Sequence, residues 1–238
     1  MWINTLADAY GISDDERRVL LGLARELASV QPNWWRPYAD GLRSGFDHYM
    51  GLEGAARRLH TWKVTIVPGL LQTPEYRRAL AWTEFPDAPT EFIERLVEVA
   101  VRRQSRLAEE GFAIDVLLAE NVLRDRVGGS AVMAGQLGRL AEAGQRPNVS
   151  IQVVPYGAPA HLGSLAGSFV LMEFPKLPST GLQEPPIVYV EGYAGDLYLE
   201  REPEVKRYRD ALTEIRRVAL NPDASRQLVL SLAKEYAS

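Results

Sequence analysis

The chain of 238 residues contains no cysteine. That excludes disulfides, thiolate metal sites and a thiol nucleophile, and it suits a reducing compartment. Histidine is scarce: His48, His60 and His161 stand in three separate segments, and no His-x-x-His or His-Glu-x-x-His pair offers metal-ligand spacing. There is no Gly-x-Ser-x-Gly elbow for a serine nucleophile. No apolar run approaches the roughly 20 residues of a membrane span. Met1-Trp2-Ile3-Asn4 lacks the basic start and apolar stretch of a signal peptide. An excess of positive charge is missing too: the net charge is −4 and the pI about 5.5. The chain therefore advertises no basic face for nucleic-acid phosphates. The expectation is a cytoplasmic protein with no metal, no cofactor and no membrane contact.

What is present is a core. Hydrophobic residues make up 46% of the chain, enough for one large domain or two small ones. A helical fragment from Trp2 to Tyr10 ends at Gly11. Ser13-Asp14-Asp15-Glu16 reads as a capping box that opens a helix to about Ala28, with Val19, Leu20, Leu23 and Leu27 on one face. Gln31-Pro32-Asn33 breaks it, and the aromatic cluster Trp34-Trp35-Arg36-Pro37-Tyr38 follows. Phe46 to Leu59 predicts a helix and Trp62 to Val67 an extended segment. Thr73 is the expected cap of a helix to about Trp82. Thr90 is the expected cap of a long helix to about Glu110, ended by Gly111.

Phe112 to Ala119 is a continuous apolar run, the pattern of a buried strand. Ser130 is the expected cap of a helix to about Ala143. Val149–Pro155, Ser168–Phe174, Ile187–Glu191 and Asp196–Leu199 read as further strands, the last three as antiparallel neighbours. Helices are expected from Glu202 to Leu220 and from Asn221-Pro222 to about Tyr236. The fold class is α+β: about five strands in a mixed or antiparallel sheet, flanked by helices and preceded by a helical N-terminal segment.

Candidate chemistry is sparse. Asp115, Glu120, Glu173 and Glu191 fall within or at the ends of strands. Convergence there would suit acid–base work, whereas the plain alternative is ion pairing with the many arginines. His161 precedes Ser164 in a Gly-rich loop from 157 to 167, which reads first as a polar loop and second as a Ser–His pair. Gly128-Gly129-Ser130 opens a helix, either as ordinary helix entry or as an anion-holding turn. Arg95, Arg102 and Arg106 share one helix face that reads as solvated, while Arg103, beside Gln104, points elsewhere and is a candidate to reach inward. Trp34, Trp35, Tyr38, Tyr49, Trp62 and Trp82 either line an apolar pocket or pack between a helical layer and the sheet.

One segment organises the rest. Val67-Pro68-Gly69-Leu70-Leu71-Gln72-Thr73-Pro74-Glu75-Tyr76 joins a Pro-Gly turn, a Leu-Leu plug and a Thr-Pro helix entry. After it come Arg103-Gln104, Glu120-Asn121-Val122-Leu123-Arg124, Val127-Gly128-Gly129, Val132-Met133 with Gln136-Leu137, and Val149 through Pro155. His161, Gly167-Ser168-Phe169, Val188-Tyr189-Val190-Glu191 and Ala219-Leu220 with Ser225 follow. This ordered set, from about Trp34 to the C-terminus, resembles the C-terminal domain of uncharacterised function of actinobacterial (Streptomyces-type), XRE-like helix-turn-helix transcription regulators.

The resemblance implies a regulator domain, in several members paired with a small partner protein in an antitoxin-like arrangement. In that family a helix like 2–10 is the last of the DNA-binding domain. Only a dozen residues precede the Ser13 cap, so residues 1–31 are expected to be a remnant of that region with a linker helix. DNA contact is then expected only through helices missing here. Residues 34–238 form the expected ligand- or partner-binding domain. The family usually carries an arginine three residues before Arg103, where this chain has Ala100.

The leading expectation is a non-catalytic domain that binds a small-molecule effector or a small partner protein, with a homodimer also open. Its expected ligand residues are Trp35, Tyr38, Trp62, Arg103, Gln104, Glu120, Arg124, His161, Tyr189 and Glu191, with the ligand between the aromatic cluster and the sheet. The alternatives are an antitoxin-like interaction module, or a cofactor-free cyclase or isomerase recruited from this scaffold. In the latter, Glu120, Glu191 and His161 would be the acid–base groups.

Overall fold

A computed structural model of the chain describes Leu6, residues 9–29, 46–178 and 180–238. Trp34, Trp35 and Tyr38, and most of the expected helix 2–10, lie outside the described residues. The capping box forms as expected: the Ser13 amide and hydroxyl both donate to Glu16, and the Glu16 amide donates back to Ser13 Oγ, opening α1 (Asp14–Ser29).

From Phe46 the chain builds one mixed sheet. Helix α2 (Phe46–Ala55) leads into β1 (Arg58–Lys63). A 3-10 turn (Gly69–Leu71), α3 (Pro74–Glu84), α4 (Thr90–Arg103) and a second 3-10 segment (Gln104–Ala108) then lead to β2 (Ala113–Ala119). Short α5 (Glu120–Arg124) and α6 (Ser130–Ala143) lead to β3 (Val149–Val154). Short α7 (Gly163–Ala166) precedes the meander β4 (Phe169–Glu173), β5 (Ile187–Glu191) and β6 (Asp196–Leu199). Helices α8 (Glu202–Val218) and α9 (Pro222–Ala237) close the fold.

The sheet order is β3-β2-β1-β4-β5-β6. The crossovers through helices make β1, β2 and β3 parallel, while β4, β5 and β6 run antiparallel to their neighbours. The fold class is thus α+β, with six strands rather than about five.

The extra strand is β1. The helix expected to reach Leu59 stops at Ala55, and Arg58–Lys63 pairs with β2 on one side and β4 on the other. Its polar residues Arg58, His60 and Lys63 hide the strand pattern, and pairing on both edges overrides local preference. Two expected caps also move. Pro89 takes the position before α4, so Thr90 is its first residue. Gly129, at φ 89°, takes the cap of α6 in place of Ser130, a conformation that favours glycine. The helix expected to run to Glu110 ends at Arg103 and tightens into 3-10 geometry before Gly111 turns it.

Period-two alternation sends the strands' side chains to two apolar layers. Leu59, Ile114, Val116, Leu118 and Val170 join one layer with residues of α6 and α9 and of the 67–76 loop. Trp62, Leu117, Phe169, Leu171 and Val188 join the other, covered by Val205, Leu212 and Ile215 of α8. Each fully buried aliphatic chain contributes roughly 1.5–3 kcal/mol, which fixes the strand register and hence the placement of the polar residues between them.

Candidate functional site

The 67–76 segment is a loop fastened by amides. Gln72 Nε2 donates to the Val67 carbonyl at 2.7 Å, and Tyr76 Oη accepts from the Val67 amide at 3.2 Å. Gln136, fully buried on α6, accepts from the Thr73 amide at 2.7 Å and donates to the Leu71 carbonyl at 2.8 Å. Gln104 Nε2 donates to the Gln72 carbonyl at 2.5 Å. Thr73 caps α3 by accepting from the Tyr76 amide, as its Thr-Pro sequence predicts. Polar backbone carried into the core is satisfied in this way.

That loop is one wall of a cavity of about 150 Å3. Phe46, Tyr49 and Glu53 of α2, Leu96, Val99, Ala100 and Arg103 of α4, and Leu59, Thr61, Lys63, Ile114, Val170, Tyr189 and Glu191 of the sheet supply other walls. Inside it, Arg103 and Glu53 form a two-pronged ion pair, Nε to Oε1 at 2.9 Å and Nη2 to Oε2 at 2.7 Å. Burial disfavours the guanidinium charge, but the Glu53 carboxylate outweighs it and holds Arg103 more firmly protonated than usual. Gly69 lies against this pair: a Cβ there would stand 3.3 Å from an Arg103 nitrogen.

Lys63, also buried, has Glu191 Oε2 at 3.5 Å. Burial pushes its pKa down, and the Glu191 carboxylate only partly offsets this. Arg77 reaches the same cavity from α3, and its guanidinium makes no ion pair or hydrogen bond among the described residues. Burial lowers its pKa against the opposing pull of Glu84. Tyr49 packs against Tyr189 with the rings tilted and their centroids 4.5 Å apart, and burial, then the neighbouring Glu53 charge, push its phenol well above the usual range.

The expected site residues divide between two places. Arg103, Tyr189 and Glu191 line this cavity, and Gln104 fastens its loop. Trp62, Glu120 and His161 line a second, shallower cleft of about 300 Å3 beside Tyr156 and Ser164. Trp62 faces the α8 layer, whereas Leu59, two registers of the pleat away from Lys63, faces the first layer, so the sheet separates the two groups. The expected residues that are described therefore do not form one site.

In the second cleft the carboxylate is spoken for. Glu120 accepts from Arg124 Nε at 2.7 Å and from the Tyr156 amide at 2.9 Å, one oxygen each. His161 Nδ1 accepts from the Gly163 amide, and Trp62 Nε1 donates to the Gly163 carbonyl, each at 3.1 Å. The 161–166 segment is a helical turn fixed to Trp62, not an open polar loop.

Two further expectations need correction. Arg106 does not belong to a solvated face: it bonds the carbonyls of Glu53 and Ala56 and packs over Phe112 at 4.5 Å. Asp115 and Glu173 converge not with Glu120 or Glu191 but on His60, 3.0 Å and 3.7 Å away, because β1 and β2 place His60 opposite Asp115. Glu53, Lys63 and Arg77 were not among the expected site residues. The available signals were a lysine beside Trp62 in an apolar stretch, and Glu53 one helical turn after Tyr49. No cluster of three or more metal-ligating side chains occurs among the described residues.

Residues 46–231 match the model of a family described as a domain of unknown function, DUF5753. No curated protein and no solved structure matches the chain.

Proposed function

We propose that this chain, which belongs to the DUF5753 family, is a non-catalytic regulatory domain that binds a small effector in the cavity between α2, α4, the 67–76 loop and the sheet. The observation that carries the reading is the cavity itself: apolar walls with a few buried, fixed charges, the usual make-up of a ligand site. The charges are set for holding rather than for turnover. Glu53 is locked by two bonds to Arg103, and Glu120 by Arg124 and the Tyr156 amide, so neither stands free as a base.

Phe46 and Tyr49 lie in the first turns of α2, on the N-terminal side of the domain. A ligand that favours one placement of α2 would shift the population of arrangements of whatever is joined there. In this reading the protein works in the cytoplasm as part of a helix-turn-helix transcription regulator, and DNA is contacted by such helices rather than by the sheet domain. Among the described residues no helix is long and apolar enough to cross a membrane.

Native mass spectrometry of the protein purified from its host tests this. The expected result is a retained small molecule, lost when Ala100→Trp fills the cavity. An adduct that survives Ala100→Trp would sink the reading. So would a chain free of any adduct whose α2 gains no hydrogen-exchange protection from host metabolite extract.

A further inference from the structure

We infer that the cavity's ligand is a compact, uncharged carbonyl compound, a ketone, ester or amide of single-ring size, whose oxygen accepts a hydrogen bond from the Thr61 hydroxyl. This rests on the effector-binding reading above and names the ligand class.

The first argument is an unpaired group. Thr61 lies in the middle of β1, between Leu59 and Lys63 on the strand face that floors the cavity. It is only 2% exposed, yet its hydroxyl makes no hydrogen bond among the described residues. Buried polar groups are nearly always paired, and one left without a partner is costly. Other polar groups of the lining are engaged: Gln72 donates to the Val67 carbonyl, and Glu53 has both oxygens on Arg103. Thr61 borders the cavity, so a ligand there supplies the missing partner.

The second argument is charge. The lining holds three cations, Lys63, Arg77 and Arg103, and three carboxylates, Glu53, Glu84 and Glu191. Arg103 and Glu53 are joined through both prongs, and Lys63 has Glu191 at 3.5 Å. Glu84 is the carboxylate that acts most strongly on Arg77. The set is balanced. A ligand ion of either sign would bring a buried charge with no counter-charge to meet it, which is costly. A neutral ligand avoids that cost. What the lining leaves unspent is mainly donor capacity: the Thr61 hydroxyl, the Arg77 guanidinium and the remaining protons of the Lys63 ammonium. A carbonyl is the neutral group that answers donors with an acceptor.

The third argument is size and lining. Thr61 stands opposite Val170 in the sheet register, and Val170 lines the same floor with Leu59 and Ile114. A carbonyl on Thr61 therefore lies beside an apolar surface that receives the rest of the molecule. A dry protein cavity of about 150 Å3 holds a benzene-sized molecule, and this one has the same volume.

Isothermal titration of the full chain with cyclohexanone, δ-valerolactone and benzamide tests the inference, beside the hydrocarbons cyclohexane and toluene and the ions benzoate and benzylammonium. At least one carbonyl compound is expected to bind saturably, and more tightly than either hydrocarbon or either ion. Thr61→Val keeps the shape of the side chain and removes the hydroxyl. It is expected to weaken that binding about fivefold, to leave any hydrocarbon binding unchanged, and to melt no lower than the parent when ligand-free. Thr61→Ser restores a hydroxyl and is expected to keep the preference for carbonyl over hydrocarbon, which serves as the check should Thr61→Val disturb the fold.

A hydrocarbon that binds as tightly as the carbonyl compounds would overturn the assignment. So would benzoate or benzylammonium binding in place of every neutral probe, or carbonyl binding that Thr61→Val leaves intact. In those cases, or if no probe binds and the host-purified protein carries a charged or carbonyl-free molecule removed by Ala100→Trp, the effector-binding reading survives and only the ligand class falls. If no probe binds and the host molecule is a neutral carbonyl compound, its loss from Thr61→Val upholds the inference and its retention overturns it. If no probe binds and no host molecule is retained, both fall.

Discussion

Removing one partner of a buried ion pair costs far more than the pair contributes, because the survivor stays charged in a low dielectric. Arg103 and Glu53 are such a pair, with side chains only 10% and 5% exposed. Glu53→Gln should lower stability by about 3 kcal/mol, read from chemical denaturation; an unchanged midpoint would mean that water reaches Arg103. Lys63 behaves in the opposite way. Its pKa is depressed in the folded chain, so its stabilising contribution exists above the ordinary lysine range and is lost as pH falls through the folded value. Lys63→Met should therefore raise the melting temperature of the ligand-free protein at pH 7, and a fall would show that the Glu191 pair outweighs burial. Of these residues, Arg103 was legible in the sequence as a candidate to reach inward. Glu53 and Lys63 were not, because an acid on a helix and a lysine on a strand look solvated until their neighbours close over them.

At the level of elements, what was legible is what the chain determines locally. Thr73 caps its helix before a proline as expected, and Asn221, which the sequence marks only as a helix start, does the same; both side chains accept an amide. The meander β4-β5-β6 follows from short strands joined by short turns. Strand β1 was not legible, since its partners lie some fifty and a hundred residues away in sequence and its exposed tip is charged. The 67–76 loop lies between these cases. Its turn and cap could be read directly, but not that Gln136, from a helix more than sixty residues on, ties down Leu71 and Thr73. Gln136→Leu keeps the volume and strands one buried carbonyl and one amide, at about 1–3 kcal/mol each. Hydrogen exchange should then speed up at Thr73 first. Exchange that speeds up equally across the sheet would mean that the loop and the sheet open as one unit.

For the molecule as a whole, these buried groups set a pH window of stability. On the acid side, burial alone would raise the Asp115 carboxyl, but His60, 3.0 Å away, and the hydrogen bond from Arg58 overcome this and hold it below the ordinary carboxylate range. A depressed carboxyl gives stability above its unfolded pKa of about 3.9 and loses it as pH falls through the folded value. On the alkaline side, Tyr49 and Tyr76 are both raised, chiefly by burial; for Tyr76 the bond from the Val67 amide opposes the rise. A raised phenol gives stability below its unfolded pKa of about 10 and loses it as pH climbs toward the folded value. Both rings belong to the layer that carries the cavity, one on α2 and one on α3, so their ionisation should coincide with the breakup of that layer. In an alkaline titration a late tyrosinate absorbance step should then appear together with loss of helical circular dichroism. Tyr49→Phe should shrink that step and shift the alkaline unfolding to higher pH. Were all tyrosinate absorbance to develop before any helix is lost, water would already reach Tyr49 in the folded protein. The cavity would then be a wet surface cleft, unsuited to holding an apolar ligand.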